Sequence, residues 1–241
     1  MNPVSLALIL VRTRFPENIG MCARACANMG CGKLILVNPE RWDRAKSEPL
    51  ATAKGLPLLD DVEIVTKLAD ALSPYSYSVA TTARLGGWRR GVLHPEQAAR
   101  TINAALAMEQ SAAIVMGSED RGLSNEEISQ CDAIVHIPTA GASSINLAQA
   151  ALILLYECHK HWRRHGAECK TPGEKVISRE EESRLEQRLL EALIKLDCIP
   201  GQNPAYHFLQ WQRFLRRARL RRHEYDAFMG LCRQIANKAS S

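Results

Sequence analysis

The chain has 241 residues, 46% of them hydrophobic and 24% charged, enough for one large domain or one medium domain with an extension. No apolar run approaches the roughly 18 residues of a membrane span, and the first apolar run lacks a basic leader and a small-residue cleavage site, so it reads as a strand and not as a signal peptide. The net charge of +5 is uneven: residues 158–241 hold 17 Lys and Arg against 10 Asp and Glu, whereas residues 1–157 are slightly acidic. A near-neutral body with a basic tail points to a polyanionic partner. A solvated basic helix is the plainer alternative.

Leu6–Val11 is an apolar run long enough for a buried strand. A polar loop over Arg12–Gly20 follows, then an Ala/Cys-rich helix over Met21–Met29 ending at Gly30, and a second strand over Lys33–Val37. This β-loop-α-β order favours a parallel pair with a crossover helix. A short helix is expected near Ala51–Lys54, stopped by Gly55, then a strand over Val62–Val65 and a helix over Lys67–Leu72. Tyr75–Ala80 reads as a strand, Pro95–Met108 as a helix, Ala112–Met116 and Ala133–Ile137 as strands, and Ser144–His161 as a long helix. Strands alternating with helices down to residue 160 define an α/β domain with a mostly parallel sheet.

Residues 1–163 are taken as this domain, 164–178 as a Gly/Pro-containing linker and 179–241 as a small helical, basic extension. Within the extension, Leu185, Leu189, Leu193 and Leu196 mark an amphipathic helix over Arg179–Leu196. Tyr206–Arg222 mixes Phe208, Trp211 and Phe214 with arginines, and a last helix spans Glu224–Asn237.

Eight scattered cysteines without C-x-x-C pairing suit reduced thiols in a cytoplasmic protein. Cys22, Cys26 and Cys31 have no partnering His or Cys at ligand spacing, so no metal is expected. Phosphate-loop, dinucleotide-binding and nucleophile-elbow motifs are absent. Gly117-Ser118-Glu119-Asp120-Arg121-Gly122 carries two carboxylates that would repel phosphate, which favours a neutral or cationic ligand. Ser143 or Ser144 is a natural cap for the helix that follows, with Asn146 as an accessory, while Asn18 and Arg24 read by themselves as loop and helix-surface residues.

Read together, these segments resemble three ordered motifs of the SpoU class of RNA 2′-O-methyltransferases. They are Asn18-Ile19-Gly20-Met21-Cys22-Ala23-Arg24, then Met116–Ser124, then Ile137-Pro138 with Ser143-Ser144-Ile145-Asn146-Leu147-Ala148. Val37-Asn38-Pro39, Thr81-Thr82-Ala83-Arg84 and the Pro200-Gly201-Gln202 segment before an Arg-rich helix are similar to the TrmJ type of that class. The chain departs from the pattern at Ser118-Glu119-Asp120, in a short Thr139–Ala142 loop and in a more aromatic tail, which bears on target choice more than on reaction type.

The resemblance implies a SPOUT fold with a C-terminal trefoil knot, S-adenosylmethionine as cofactor, a homodimer, and methylation of a ribose 2′-hydroxyl, in the TrmJ type at tRNA position 32. It implies catalytic roles for Arg24, Asn18, Glu119, Ser144 and Asn146. It implies cofactor contacts at Thr81, Thr82, Ala83, Gly117, Gly122, Ile137, Ser143, Ser144 and Ile145. Arg213, Arg216, Arg217 and Arg219 are the expected RNA-binding residues of the tail. Methylation of ribosomal RNA and a catalytically silent RNA-binding role are the alternatives.

Overall fold

The computed structural model describes residues 5–85, 91–141, 145–165 and 176–238. The chain forms two compact units, residues 1–171 and 172–241. Ser143 and Ser144 lie outside the described residues.

The first unit runs β1 (Leu6–Val11), α1 (Pro16–Met29), β2 (Lys33–Val37), α2 (Arg44–Asp60), β3 (Glu63–Val65), α3 (Leu68–Leu72) and β4 (Tyr77–Thr81). It continues through α4 (Pro95–Ala107), β5 (Ala112–Met116), α5 (Asn125–Ser129), β6 (Ala133–Val135) and α6 (Leu147–His165). The six strands form one parallel sheet in the order β3-β2-β1-β5-β4-β6.

Helices cover both faces, so β1, β2 and β5 read as nearly unbroken apolar runs. Leu8, Leu10, Leu34, Leu36 and Ile114 point toward α1, α2, α4 and α6, whereas Ile9, Val11, Ile35 and Val115 point toward α3 and α5. No helix among the described residues is long and apolar enough to cross a membrane.

Several elements differ from the sequence reading, each for a local reason. Helix α1 starts at Pro16 inside the expected loop, because proline suits the first turn, where its missing N–H is not needed. Asn18 is therefore a buried residue of the helix's first turn, 5% exposed, and not a loop residue. Helix α2 is longer than expected: Asp43 caps it through the Lys46 amide, and it bends at Thr52, which has φ 60° and ψ 164°. Its prolines, Pro49 and Pro57, lie on either side of that break, which hides the helix from a propensity argument.

Gly55 lies within α2 instead of ending it, because a Cβ there would stand 3.1 Å from the Arg24 backbone nitrogen of α1. The short α5 was missed, although Ser124 and Glu127 form a capping box with the S-x-x-E spacing.

The second unit packs α7 (Arg179–Lys195), α8 (Pro204–Ala218) and α9 (Arg222–Lys238) around Leu185, Leu189, Phe208, Leu215, Leu220 and Tyr225. Within the aromatic and arginine-rich segment, α8 ends at Arg219, whose φ of 48° is left-handed. There the chain makes a backbone bond from Ile177 N to Leu220 O at 3.1 Å.

Candidate active site at the switch point of the sheet

Strand order reverses between β1 and β5. The chain leaves β1 toward β2 and β3 on one side, then returns to build β5, β4 and β6 on the other. In an open parallel sheet the loops beyond the carboxyl ends of two such strands diverge and leave a crevice where ligands bind. Arg12–Phe15 follows β1 and Gly117–Leu123 follows β5, so these two loops face each other across the switch point.

The β5 loop is a tight turn closed by a bond from Gly122 N to Ser118 O at 2.8 Å. A Cβ at Gly117 would lie 2.1 Å from the Gly122 carbonyl carbon and 2.2 Å from the Leu123 nitrogen, so only glycine lets the turn fold back on itself. Gly122 faces open space but has φ 66°, the left-handed region that disfavours side chains.

Two arginines hold the turn from outside. Arg12 donates to Gly122 O at 3.2 Å and pairs with Glu127 of α5, and Arg84 donates to Arg121 O at 3.3 Å and to Leu123 O at 3.5 Å.

Across this crevice runs a directed chain of hydrogen bonds. The amides of Ala148 and Gln149 donate to Asn146 Oδ1 at 2.9 and 3.3 Å, capping α6. Asn146 Nδ2 donates to Asn18 Oδ1 at 3.0 Å, and Asn18 Nδ2 donates to Glu119 Oε1 at 2.7 Å. The Arg14 backbone amide donates to the second oxygen, Glu119 Oε2, at 3.0 Å. The cap fixes which way Asn146 points, Asn146 fixes Asn18, and Asn18 together with the Arg14 amide presents N–H to the acceptor-only Glu119 carboxylate.

Asn146 is thus the cap of α6 and not an accessory, and the helix begins at Leu147, after Ser144. The acidic turn expected to face a ligand is largely engaged by the chain itself. Asp120 accepts from Ser118 Oγ at 3.0 Å and from Arg14 Nη1 at 3.0 Å, and its carboxyl is held below the ordinary carboxylate range. Burial opposes that shift, while the Ser118 hydroxyl, the local backbone and the Arg14 and Arg121 guanidinium groups outweigh it. Arg14 and Arg12 were not singled out in the sequence, although two arginines directly after a buried strand were a usable signal.

Arg24 stands exposed on α1, two turns beyond Asn18. Beneath it, burial and the Glu119 charge hold the Cys22 thiol far above its ordinary value, with the nearby Cys31 adding to the effect. Such a thiol is an inert packing group. No His/Cys/Asp/Glu cluster fit for a metal occurs among the described residues.

The remaining expected residues line the ends of adjacent strands. Thr81 ends β4, and Thr82 N bonds to Val135 O of β6 at 3.0 Å. His136 Nδ1 lies 3.0 Å from Thr82 O, which ties Thr82 to the start of the segment carrying Ile137. Thr81, Thr82, Ile137 and Ile145 are half-buried and Ala83 is exposed. Thr81, Thr82 and Ala83 at the end of β4, Gly117 after β5 and Ile137 after β6 thus put uncharged side chains and backbone groups at the ends of three neighbouring strands, while Ile145 precedes α6 and packs against the core.

The tail arginines are less uniform. Arg217 is exposed, Arg213 and Arg219 are half-buried, and Arg216 is 14% exposed. Arg216 donates to both carboxylate oxygens of Glu186, at 3.0 and 3.4 Å, so its charge supports the helical unit.

Comparison with known proteins finds the SpoU rRNA Methylase family model matched by residues 5–156. A tRNA (cytidine/uridine-2′-O-)-methyltransferase TrmJ of Sodalis glossinidius is 30% identical over 235 residues, covering 96% of this chain and 91% of that one. A tRNA (cytidine/uridine/adenosine-2′-O-)-methyltransferase TrmJ of Pseudomonas aeruginosa is 38% identical over 159 residues, 65% of this chain and 61% of the relative. The crystal structure of TrmJ from Z. mobilis ZM4 superposes with a TM-score of 0.81 at 28% identity, covering 97% of this chain and all of that one.

Proposed function

The chain belongs to the SpoU rRNA methylase family and to its TrmJ type, and on that premise we propose that it methylates a ribose 2′-hydroxyl of tRNA, at position 32 of the anticodon loop, using S-adenosylmethionine. The observation that carries this reading is the Asn146–Asn18–Glu119 chain at the switch point of the sheet, with Arg24 further along α1, the helix that carries Asn18. It draws residues of all three motifs into one place, although they are up to 128 positions apart in sequence.

The residues present fit the cofactor. Thr81, Thr82, Ala83 and Gly117 offer backbone groups and small uncharged surfaces, which a purine nucleoside can approach closely, and Ile137 and Ile145 would add apolar contact. Gly122, through its left-handed φ, keeps the turn after β5 closed. Ser143 and Ser144 belong to the same proposed set. When bound, S-adenosylmethionine supplies a methyl group made electrophilic by its sulfonium.

This chain's own residues would bind and orient the ribose. A 2′-hydroxyl is a poor nucleophile until its proton is shared or lost. Arg24 is not the group that takes the proton, because a guanidinium does not deprotonate in proteins. It remains charged, holds the adjoining phosphate and stabilises the oxyanion character that develops at the 2′-oxygen. Asn18, Glu119 and Asn146 hold the helix ends that frame it.

The proposed assembly is a homodimer whose interface includes α6. Leu152, Ile153 and Tyr156 lie on that helix and are 41%, 37% and 49% exposed, an apolar surface that a second subunit would cover. The family's trefoil knot belongs to the same reading, supported by the return of α6 from edge strand β6 to pack against α1. Free cysteines with no disulfide among the described residues agree with a cytoplasmic site of action.

The deciding experiment incubates bulk tRNA with the protein and S-adenosylmethionine and maps 2′-O-methyl groups by mass spectrometry. A new methyl at position 32 is the expected result. Methyl groups found only on ribosomal RNA in a parallel incubation, or on neither RNA, would overturn the assignment.

A further inference from the structure

Helix α8 carries a surface that its own unit does not use. It packs inward through Phe208 and Leu215, 2% and 1% exposed, yet Trp211 and Phe214 are 41% and 42% exposed and Tyr206 is 71% exposed. On a helix, residues spaced i, i+4 and i+7 share one stripe, which places His207, Trp211 and Phe214 together over about 10 Å of axis. Tyr206, Gln210 and Arg217 run along one flank, away from Phe208 and Leu215. Three aromatic rings kept at the helix surface, beside the buried Phe208 of the same helix, indicate a contact still to be made.

Charge selects the partner. Residues 204–222 contain six arginines and no carboxylate; Arg216 and Arg222 pair with Glu186 and Glu181 of α7, while Arg217 is exposed on the outer flank. A second copy of this chain docking by the same stripe would bring like charges together, so self-association here is opposed. The complementary ligand is a polyanion that also presents flat π-faces, and unpaired nucleotides have both. Base-paired RNA offers its phosphates but keeps its base faces stacked inside the helix.

We propose that the outer face of α8 binds an unpaired stretch of the RNA substrate, with Trp211 and Phe214 stacking on bases and Arg217 meeting phosphate. This rests on the reading that the protein acts on RNA, and it adds that the helical extension selects single-stranded structure. It also separates the roles of the arginines: Arg217 faces the ligand, whereas Arg216 is held by Glu186.

The test uses the full chain and an unpaired RNA of roughly a dozen nucleotides, compared with the same strand annealed to its complement. Trp211→Ala and Phe214→Ala should each weaken binding of the unpaired strand about five-fold or more and leave the duplex unaffected. Trp211→Phe should restore most of the loss. Both substitutions lie on an exposed helix face and alanine favours helix, so folding should be retained, which circular dichroism checks.

Unchanged affinity for the unpaired strand, or equal losses on strand and duplex, would overturn the proposal. So would a change in oligomeric mass without any change in RNA binding, which would mark the face as a protein contact. Methyl transfer to bulk tRNA by the unsubstituted protein is measured alongside. Transfer with ring-independent RNA binding removes only this inference, whereas no transfer and no RNA binding removes the tRNA reading with it.

Discussion

Asn18 offers a sharp test of the hydrogen-bonded chain, because two substitutions give opposite orders under two explanations. Asn18→Ala removes a 2.7 Å bond to an ionised Glu119 and a 3.0 Å bond from Asn146. Bonds to charged groups contribute about 1.5–3 kcal/mol and neutral ones about 1 kcal/mol. Asn146 borders solvent and water can replace its lost partner, so the net cost should be about 2–3 kcal/mol.

Asn18→Asp keeps shape and volume but replaces the donor with an anion beside Glu119. At the 2.7 Å separation of the native bond, like charges repel by about 1.5 kcal/mol in bulk water and about 6 kcal/mol at an effective dielectric of about 20. The aspartate variant should therefore be the less stable of the two, although it is nearly isosteric. Urea unfolding at neutral pH gives the order directly, and calorimetry with S-adenosylmethionine reports the site. If packing alone mattered, the aspartate variant would be the more stable. That order would refute the directed chain.

Other expected outcomes follow from single contacts. Gly117→Ala must displace the backbone of Gly122 or Leu123 and should cut S-adenosylmethionine affinity at least about ten-fold, an overpacking cost of about 1–3 kcal/mol; Gly122→Ala meets no atoms and should be milder. Glu186→Ala strands the Arg216 charge and should lower the stability of the helical unit by about 3 kcal/mol in thermal melts. Replacing both partners with Met should recover most of that loss.

Burial, with smaller contributions from Cys31 and Glu63, pushes the Tyr75 phenol up to about 12. A raised folded value means its contribution to stability is complete below the ordinary tyrosine range and is lost as pH rises through about 12. Ultraviolet titration should show a late phenolate step that Tyr75→Phe removes.

The local pattern determined much of the framework. Leu6–Val11 and Ala112–Met116 begin and end where unbroken apolar runs do, and Lys33–Val37 departs only at its first residue, because strands covered on both faces favour apolar side chains at successive positions. Helix α2 was obscured, since two prolines and a left-handed Thr52 make it a bent element held by packing against α1. The motif residues were legible as a set through family resemblance, but their roles were not.

By spacing alone Asn18 was a loop residue, Ser143 or Ser144 a natural cap of the long helix, and the Glu119–Asp120 pair a ligand-facing acidic edge. Only strand order decided otherwise. Placing β5 next to β1 sets Glu119 against Asn18, brings the N-terminus of α6 to the same point and turns both carboxylates toward the chain's own donors. Hydrogen bonds spanning more than 100 residues have no local signature, because they depend on which strands neighbour one another and not on what lies beside each residue in sequence. The tail follows the same division. Its basic and aromatic character is plain in the sequence, whereas which ring is core and which arginine is already paired was settled by the packing of three helices.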